Sequence, residues 1–480
     1  MNEKNSRDPN LLEALIPLII LIALLSFNVV IYNDTATSGP NQIALIIGAV
    51  VAALIGGRLG YTWKQLQNGM VQSINSAMSA ILILLIIGAL SGTWMLAGIV
   101  PSMIYYGLQL MHPSYFLLAS CIICCIVSLA TGSSWSTVAT VGVALLAIGT
   151  VIGVPVGMSA GAIISGAYFG DKMSPLSDTT NLASAMAGSD LFTHIRYMMY
   201  TTIPTMLITL IIFGVLGFYI APENNQEGIS EMLLAMKSKF YISPLLFSVP
   251  IIVFVLIGLK VEALPALFVG AVLGGVVACF AQPQIIKEIS GATSNYINAS
   301  YKAVLQAMTG SVSIKTDNES ITKLLATRGM SGMLNTIWLV LCAMCFGGVM
   351  EVSGMLKKIT QTVMRKVEST GSLIATTAGT CVFFNATASD QYLAIVVPGK
   401  MFAKEFKDRG LKPENLSRTL EDSGTATSVL FPWNTCGAVQ SSVLGVATGT
   451  YWMYCFFNLI SPIMTITVGY LNIKIRRLEK

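Results

Sequence analysis

Three charged residues and a proline interrupt one of the most apolar parts of the chain, GAYFGDKMSPLSDTTN (166–181). Pro175 breaks a helix because it lacks a backbone N–H and its ring clashes with the preceding turn. The charged residues are Asp171, Lys172 and Asp178, and the oxygen donors beside them are Ser177, Thr179 and Asn181. Carboxylate, hydroxyl and amide oxygens are hard ligands that suit a small hard cation such as sodium. A carboxyl group partly stripped of water also binds a proton readily, because desolvation disfavours its charged form. The stretch therefore predicts a site where sodium and protons compete.

Three more polar interruptions occur in apolar surroundings, at 131–137, 385–391 and 421–435. Non-helical backbone survives at membrane depth only where protein buries it or where it lines a wet cavity. The candidate ion-binding and substrate-binding residues in these interruptions are Thr131, Ser133, Ser136, Asn385, Thr387, Ser389, Asp390, Asp422, Asn434 and Thr435. The residues that we expect to ligate sodium directly are Asp178, Asp390, Asn181 and Asn434. Asp178 is the first choice for the carboxylate that couples sodium to protons, and Asp390 is its expected partner across the interface between two halves.

Structural roles stay open for several of these residues. Interruptions rich in serine, threonine and glycine also allow close helix packing with hydrogen bonds across helices. Asp171 and Lys172 are adjacent and could form a structural ion pair. One member of a neighbouring charged cluster could belong to the cytoplasmic rim; the cluster is Arg418, Glu421 and Asp422. Glu351, in an otherwise apolar helix, is either a proton-binding group or a packing residue with a distant partner. Ionisable groups inside a membrane are costly, which favours functional roles for the carboxylates.

The composition predicts that lipid surrounds these residues. Of the 480 residues, 54% are hydrophobic and 11% are charged, whereas a soluble protein carries about 25% charged residues. Apolar runs long enough to cross a hydrocarbon core of about 30 Å as helices occur at 11–32, 197–220, 333–354 and 446–470. Basic residues before the first run suggest a signal peptide, but the run is too long and no clear cleavage pattern follows. We therefore expect a retained helix in a multi-pass protein of the cell (inner) membrane.

Several function classes are disfavoured by the same sequence. The net charge of +5 comes from basic residues in short loops, so it does not indicate nucleic-acid binding. The chain has nine cysteines without a metal-binding pattern among polar ligands, and its only histidines are His112 and His194. It has neither a Walker-type glycine loop nor a nucleophile motif, which disfavours ATP hydrolysis and a membrane enzyme. We therefore predict no cofactor, with sodium as a transported substrate.

The chain resembles a duplication. LIPLIILIALL (15–25) is similar to SVPIIVFVLIG (248–258), and ALIIGAVVAALIGG (44–57) is similar to ALFVGAVLGGVVAC (266–279). The polar interruptions correspond in the same order, 128–146 with 382–401 and 170–183 with 421–438. The predicted organisation is a cytoplasmic N-terminus (1–10), a first repeat (11–220), a connecting loop (221–242), a second repeat (243–472) and a cytoplasmic C-terminus (473–480).

The loop charges favour two segments that return to the side from which they enter. Residues 114–150 are too many for one crossing at about 1.5 Å per residue, and 372–399 have the same design. With both segments returning, the basic loops 357–366 and 400–412 and the C-terminal tail lie inside, in agreement with the positive-inside rule. The exception is 282–330, which is predicted outside despite five basic residues. The predicted fold is an all-α polytopic membrane protein with about ten transmembrane helices plus two re-entrant hairpins. Five crossings per half make the two repeats inverted in topology, and inverted repeats with broken helices are typical of secondary transporters.

Four strings carry a family resemblance: GDKMSPLSDTTNLA, TGSSWSTVATVG, NATASDQYLAIVVPG and EDSGTATSVLFPWNTCGA. They resemble the signature regions of the NhaC family of sodium/proton antiporters, in the ion transporter superfamily, over nearly the whole chain. The resemblance implies an inner-membrane secondary antiporter, a homodimer in which a transport domain moves against a scaffold. The same family contains exchangers that couple sodium and protons to malate and lactate.

Two transport functions therefore follow as expectations. The first is exchange of sodium for protons by alternating access, with competition at buried carboxylates. The alternative is a sodium/proton-coupled exchanger of small organic anions, with Lys172 and the N-termini of half-helices holding the carboxylate of the substrate. A channel fits less well, because buried carboxylates that bind protons suit alternating access. The expected partners are sodium, protons and lipid, with organic anions in the alternative and no nucleic acid.

Overall fold

The computed structural model describes residues 7–32, 36, 38–220, 226–291, 295–315, 322, 325–364 and 367–478, and these residues are almost entirely helical. Eight helices among them are long and apolar enough to cross a membrane: Leu11–Tyr32, Pro40–Arg58, Met78–Leu96, Pro113–Thr131, Ser134–Val151, Leu191–Tyr219, Ala263–Ala281 and Met330–Val352. Two bent pairs raise the number of candidate spans to ten: Met232–Lys239 with Pro244–Gly258, and Thr448–Tyr454 with Phe456–Tyr470. The prediction of an all-helical multi-span protein is confirmed.

Shorter or more polar helices complete the described chain. They are Trp63–Ser76, Ile99–Leu110, Val156–Met173, Asp178–Ala187, Gln226–Lys239, Ser248–Gly258, Pro283–Ser290, Tyr296–Thr309, Met355–Met364, Thr370–Thr387, Gln391–Asp408, Pro413–Leu420, Thr435–Leu444, Thr448–Tyr451 and Phe456–Tyr470. Two short strands, Val312–Ser313 and Ala326–Thr327, pair antiparallel. The segment predicted as a connecting loop (221–242) contains the helix Gln226–Lys239.

Four of these units position the polar interruptions. The first hairpin consists of Pro113–Thr131 and Ser134–Val151, and the first broken helix consists of Val156–Met173 and Asp178–Ala187. The second hairpin consists of Thr370–Thr387 and Gln391–Asp408. The second broken helix begins with Pro413–Leu420, continues through a π-helical turn at Glu421–Thr425, and resumes after its break as Thr435–Leu444. Both arms of the first hairpin are long enough to cross a membrane, which is longer than a re-entrant loop requires.

Small residues hold the first broken helix against the first hairpin. A methyl group at Gly166 would lie 2.1 Å from the carbonyl oxygen of Cys121, and one at Gly170 would lie 2.4 Å from the backbone nitrogen of Leu129. Only glycine therefore fits at either position. The spacing of four residues places both glycines on one helix face, which is the small-xxx-small pattern of close helix packing in membranes.

Both ends of the second hairpin lie at the same end of the molecule as the basic C-terminal tail. Arg409 Nη2 donates a hydrogen bond to the carbonyl oxygen of Val367 at 2.9 Å, which joins the end of the second arm to the start of the first. The backbone N–H of Lys412 donates to the carbonyl of Arg476 at 3.0 Å, and that of Leu478 donates to Gly410 at 2.7 Å. The loop after this hairpin and the tail therefore form one basic surface.

Candidate ion-binding site

Each of the four breaks ends at a polar residue that caps the helix after it. Ser133 Oγ accepts from Ser136 N at 3.2 Å, and Ser177 Oγ accepts from Thr180 N at 3.4 Å. Asp390 Oδ1 accepts from Leu393 N at 3.0 Å, and Asn434 Oδ1 accepts from Cys436 N at 3.0 Å. Serine, aspartate and asparagine are the preferred N-cap residues, because their side-chain oxygens satisfy N–H groups that lack a partner within the helix. The sequence therefore breaks and restarts its helices by ordinary local rules.

Asp171 lies at the centre of the first of two buried clusters. Its Oδ2 accepts from the backbone N–H of Ser134 at 3.0 Å and from the Ser134 hydroxyl at 2.7 Å. Its Oδ1 accepts from the Ser177 hydroxyl at 2.6 Å. Ser134 is at the tip of the first hairpin and Ser177 is at the first break, so one carboxylate joins these two units. Three hydrogen bonds compensate for its removal from water, since only 5% of Asp171 is exposed.

Lys172 reaches across to the second broken helix. Its Nζ forms an ion pair with Asp422 and donates to Ser461 Oγ at 3.1 Å, and both members of the ion pair are buried. The same ammonium lies 5.5 Å from the ring centroid of Phe457. In the described structure Lys172 therefore pairs with Asp422, and the alternative of an ion pair between Lys172 and its neighbour Asp171 is wrong.

Glu421 lies beside the first buried cluster, although it is not among the binding residues that the sequence predicts. Its Oε1 lies 3.1 Å from Thr179 Oγ1, and Thr179 Oγ1 lies 3.1 Å from Ser177 Oγ. Its Oε2 is buried and has no hydrogen-bond partner among the described residues. Glu421 begins the π-helical turn, a distortion that is frequent at functional sites. The signal in the sequence was the acidic pair Glu421–Asp422 beside a glycine and hydroxyl residues.

The cluster of Arg418, Glu421 and Asp422 lies inside the protein. The guanidinium groups of Arg418 and of Arg476 in the C-terminal tail both lie against the ring of Tyr197, so a place for Arg418 near the cytoplasmic rim stays a prediction. All three side chains are fully buried. The guanidinium carbon of Arg418 lies 4.5 Å from the ring centroid of Tyr197, and its nitrogens have no hydrogen-bond partner among the described residues. The helix that carries Tyr197 packs against the helix Pro413–Leu420, which carries Arg418.

Asp390 lies at the centre of the second buried cluster, at the tip of the second hairpin. Only 1% of Asp390 is exposed, and it forms no ion pair within the described residues. Its Oδ2 lies 3.5 Å from Thr435 Oγ1, and Thr435 N donates to the carbonyl of Ser389 at 2.9 Å. The Ser389 hydroxyl is buried without a described partner, and its backbone has a φ of 61°, which is uncommon for serine. The cluster is rich in oxygen and has no nearby ion-paired base.

Two asparagines hold the second buried cluster in place. Asn434 Nδ2 donates to the carbonyl oxygen of Asn385 at 3.0 Å and to its Oδ1 at 3.1 Å. Asn385 Nδ2 donates in turn to the carbonyl of Gly424 at 2.6 Å, within the π-helical turn. Thr387 lies outside this network, because its hydroxyl donates to the carbonyl of Phe383 in its own helix at 2.7 Å. Side-chain amides thus link the tip of the second hairpin, the second break and the π-helical turn.

The structure places Asp178 and Asn181 outside the buried clusters. Both are exposed at the first break. Asp178 Oδ2 accepts a hydrogen bond from the hydroxyl of Tyr392, two residues after Asp390. Asn181 Nδ2 donates to the carbonyls of Pro175 and Ser177, at 3.0 and 2.6 Å, and so stabilises the break locally.

The remaining candidates belong to the tip of the first hairpin. Thr131 Oγ1 lies 3.3 Å from Thr137 Oγ1, so these two hydroxyls bond within the hairpin itself. The Ser136 hydroxyl is buried and has no described partner. The hydroxyl oxygen of Ser136 is therefore available to an ion, whereas the side chains of Thr131 and Ser133 stabilise the turn.

A cavity of about 770 Å³ extends toward the second break. Its lining includes Ser38 and Asn335 near one end of the molecule, Pro432 at the break, and the exposed Arg328. Asn335 Oδ1 accepts from Gln42 Nε2 at 3.3 Å, so this opening lies at the end where the helices Pro40–Arg58 and Leu334–Val352 begin.

Buried carboxylates at broken helices in a multi-span helical protein define a secondary membrane transporter, and not an enzyme. The chain belongs to the Na+/H+ antiporter family, whose sequence profile matches residues 166–473. It is 38% identical to the Na(+)/H(+) antiporter NhaC of Alkalihalophilus pseudofirmus over 90% of both chains. It is also 38% identical to the malate-2H(+)/Na(+)-lactate antiporter of Bacillus subtilis, over 97% of this chain and 96% of that one. The resemblance to the NhaC family is confirmed, and the protein is a multi-pass membrane protein.

A solved structure offers a more distant likeness. The structure of Neisseria gonorrhoeae MtrF covers 98% of this chain and 96% of its own, with 12% sequence identity and a TM-score of 0.37. A likeness this weak says nothing about individual residues.

Proposed function

We propose that the protein exchanges sodium for protons by alternating access, with the two cations competing for buried carboxylates. The observation that carries the proposal is an excess of buried negative charge. The buried ionisable residues at the two clusters and in the turn before the second one are four acids, Asp171, Asp390, Glu421 and Asp422, and two bases, Lys172 and Arg418. The buried Glu414 is paired with Arg476. If all six were ionised, two negative charges would lack compensation, and an uncompensated charge in a membrane interior is strongly unfavourable. Bound cations supply the missing positive charge.

Asp390 and Asp171 are the carboxylates best placed to bind those cations. Neither forms an ion pair with a basic residue in the described chain, because Lys172 is already held by Asp422. Asp390 has hydroxyl and amide oxygens around it, which suits sodium. A carboxylate can hold a sodium ion or a proton, but hardly both. If the loaded carrier reorients and the empty charged carrier does not, this competition couples the two gradients.

Asp178 has a different place in this proposal. The sequence ranked it first, but its exposure and its bond to Tyr392 suit a residue on the route to the buried sites. Asn181 is likewise a stabiliser of the break. Burial ranks Asp390 and Asp171 ahead of Asp178, because a group that remains hydrated has less need of a bound cation.

The cavity supports access from one side at a time. It reaches Pro432 from the end of the molecule where Ser38 and Asn335 lie. At the other end, hydrogen bonds join the second hairpin to the C-terminal tail. Two inverted repeats, a transport domain that moves against a scaffold, and a homodimer remain parts of the proposal.

Coupled exchange of a small organic anion is the second candidate. Arg328 lines a cavity whose volume lies within the range of about 300–1,000 Å³ typical of small-molecule sites. A cation in the lining attracts carboxylate substrates more readily than sodium. The Bacillus subtilis relative named for malate and lactate supports this candidate.

Purified protein in proteoliposomes separates the two functions. A pH-sensitive dye inside the vesicles reports proton movement when sodium chloride is added outside, with choline chloride as the control. Proton movement with sodium alone supports sodium/proton exchange. Movement that requires malate or lactate supports the second candidate, and no movement under either condition contradicts both.

The Asp390→Asn variant tests the assigned site in the same vesicles, because asparagine keeps the shape of aspartate without its charge. Asp408→Asn, at the end of the second hairpin, is the matched control. Loss of exchange in Asp390→Asn alone supports the assignment. Equal exchange in both variants contradicts it.

A further inference from the structure

We propose that Glu421 carries a proton in this arrangement, and that the hydroxyls of Thr179 and Ser177 relay that proton to Asp171. The inference rests on the proposed function, since it names the groups that hold and move the exchanged proton. Asp171, Ser177 and Thr179 belong to the first broken helix, and Glu421 belongs to the second. The relay therefore crosses between the two halves of the chain.

Four oxygen atoms form an unbroken row between the two carboxyl groups. Glu421 Oε1 lies 3.1 Å from Thr179 Oγ1, which lies 3.1 Å from Ser177 Oγ. Ser177 Oγ lies 2.6 Å from Asp171 Oδ1. All four residues are buried.

A count of hydrogen atoms requires one more proton than the hydroxyls provide. The row has three oxygen–oxygen contacts, and each hydrogen bond needs one hydrogen atom. Each hydroxyl has a single hydrogen to donate, and an ionised carboxylate has none. Two hydroxyls can therefore fill only two of the three contacts. The third contact is filled only if the carboxyl group at one end carries a proton.

The surroundings place that proton on Glu421. Asp171 already accepts two hydrogen bonds from Ser134 in addition to the one from Ser177. Glu421 Oε2 has no described partner, and the nearby ammonium of Lys172 is paired with Asp422. A buried carboxylate with one oxygen unsatisfied is far less stable than a carboxylate with three donors. Protonation of Glu421 also removes one of the two uncompensated negative charges.

The charged groups around Glu421 come from several elements. Asp171 and Lys172 face it from the first broken helix, and Asp422 follows it in the π-helical turn. Arg418 lies one turn earlier on the same helix, and Asp178 begins the helix that carries Thr179. Of the other helices packed against the π-helical turn, Thr370–Thr387 and Phe456–Tyr470 carry no Asp, Glu, Lys, Arg or His. The helix Gln391–Asp408 carries Tyr392, which bonds Asp178, at its start. Its charged residues all lie in its second half, and they are Lys400, Lys404, Glu405, Lys407 and Asp408.

The transfer is balanced in atoms and charge. The O–H bond of Glu421 breaks as its proton passes to Thr179, the Thr179 proton passes to Ser177, and the Ser177 proton forms a new O–H bond on Asp171. The products are ionised Glu421, neutral Asp171 and the same two hydroxyls with reversed hydrogen bonds. A neutral Asp171 no longer attracts sodium. Proton transfer along the row therefore moves the negative charge from Asp171, a proposed sodium-binding carboxylate, to Glu421.

Infrared spectroscopy of the purified protein at neutral pH tests where the proton lies, independently of transport. Glu421→Gln keeps the shape of the protonated acid and removes the titrating group. We expect the wild-type minus Glu421→Gln difference spectrum to contain the C=O band of a protonated carboxylic acid, which shifts in D2O. The wild-type minus Asp171→Asn spectrum should contain carboxylate bands instead. Carboxylate bands in the Glu421 difference would overturn the proposal, whether or not the protein exchanges sodium for protons.

Two neighbouring threonines test the relay. Thr179→Val removes the bridging hydroxyl at nearly constant volume, whereas Thr180→Val removes a hydroxyl that bonds the backbone carbonyl of Lys172 at 3.0 Å. We expect Thr179→Val to lose sodium-driven proton movement in proteoliposomes and to keep exchange of labelled sodium for sodium. Thr180→Val should keep both, and Thr179→Ser should restore proton movement. Wild-type proton movement in Thr179→Val would overturn the relay.

Discussion

Ser428 Oγ donates a hydrogen bond to Gln391 Oε1 at 3.2 Å, and these two residues hold the same places in the second half as Asp171 and Ser134 hold in the first. Gln391 and Ser134 each follow the N-cap of a hairpin tip. Ser428 and Asp171 each lie six residues before the N-cap of a break. The repeated contact supports the predicted duplication.

The two halves differ in where their acid lies. The first half has its carboxylate before the break, at Asp171, and a serine at the hairpin cap, Ser133. The second half has a serine at the equivalent position before the break, Ser428, and a carboxylate at the hairpin cap, Asp390. Its other two buried acids, Glu421 and Asp422, lie earlier in the broken helix. The equivalent positions of the two halves therefore carry their carboxylates at different places, Asp171 before the first break and Asp390 at the tip of the second hairpin.

Asp390→Asn should abolish sodium-driven proton movement, whereas Asp178→Asn should retain exchange with a lower apparent affinity for sodium. Asp390 is buried without an ion-paired base, while Asp178 is exposed and bonded to Tyr392. Dye-monitored exchange in proteoliposomes at several sodium concentrations measures both. The reverse outcome, with Asp178→Asn inactive and Asp390→Asn active, would restore the ranking that the sequence gives.

Apparent sodium affinity should weaken as the pH falls. Protons then occupy the carboxylates for which sodium competes, so more sodium is needed for half-maximal exchange. Saturating sodium should restore the rate, because competition changes affinity and not the capacity of the carrier. Initial rates over a grid of pH and sodium concentration test this. A sodium affinity that does not change with pH would contradict competition.

Lys172→Met should lower the yield of folded protein. The substitution leaves Asp422 buried without its partner, and breaking one side of a buried ion pair costs about 3–5 kcal/mol. The double variant Lys172→Met with Asp422→Leu should recover much of that stability, because no lone charge remains. Size-exclusion profiles after heating compare the variants. If the single variant is as stable as the wild type, the ion pair between Lys172 and Asp422 does not stabilise the folded protein.

Gly166→Ala should destabilise the contact between the first broken helix and the first hairpin. The added methyl group would lie 2.1 Å from a backbone oxygen of Cys121, and overpacking of this kind costs about 1–3 kcal/mol. Gly379→Ala is the matched control, since a methyl group there meets no atom within 4 Å. Thermal unfolding of the purified variants measures the difference. Equal melting temperatures would show that the two helices separate without cost.

Cysteines introduced at Ser369 and Lys407 of a cysteine-free background should resist membrane-impermeant thiol reagents in intact cells. The bond from Arg409 to Val367 places both positions at one end of the molecule, beside the basic tail. Ser38→Cys, at the opposite end beside the cavity, is the control that should be labelled. Labelling at either Ser369 or Lys407 from outside would contradict a cytoplasmic position for this end.

The sequence alone determined the features that depend on local chemistry. Long apolar runs predicted membrane helices because about 20 residues suffice to cross the hydrocarbon core. The breaks were predictable because Ser133, Ser177, Asp390 and Asn434 are N-cap residues in helix-interrupting surroundings, and a cap bonds to N–H groups two or three residues away. The family resemblance lies in the same strings, since they contain the residues that form both the breaks and the clusters.

Only the tertiary structure decided which of these residues face one another. Lys172 pairs with Asp422 across 250 residues of sequence, and Thr179 meets Glu421 across 242. Local pattern carries no information about such partners, so the sequence offered Asp171 as a partner for Lys172 and grouped Glu421 only with its neighbours Arg418 and Asp422. The burial of these residues also depends on the tertiary structure. Asp171 and Asp178 lie one break apart in the same polar stretch, but packing by the hairpin tip covers Asp171 and leaves Asp178 exposed, because burial depends on helices that arrive from elsewhere in the chain.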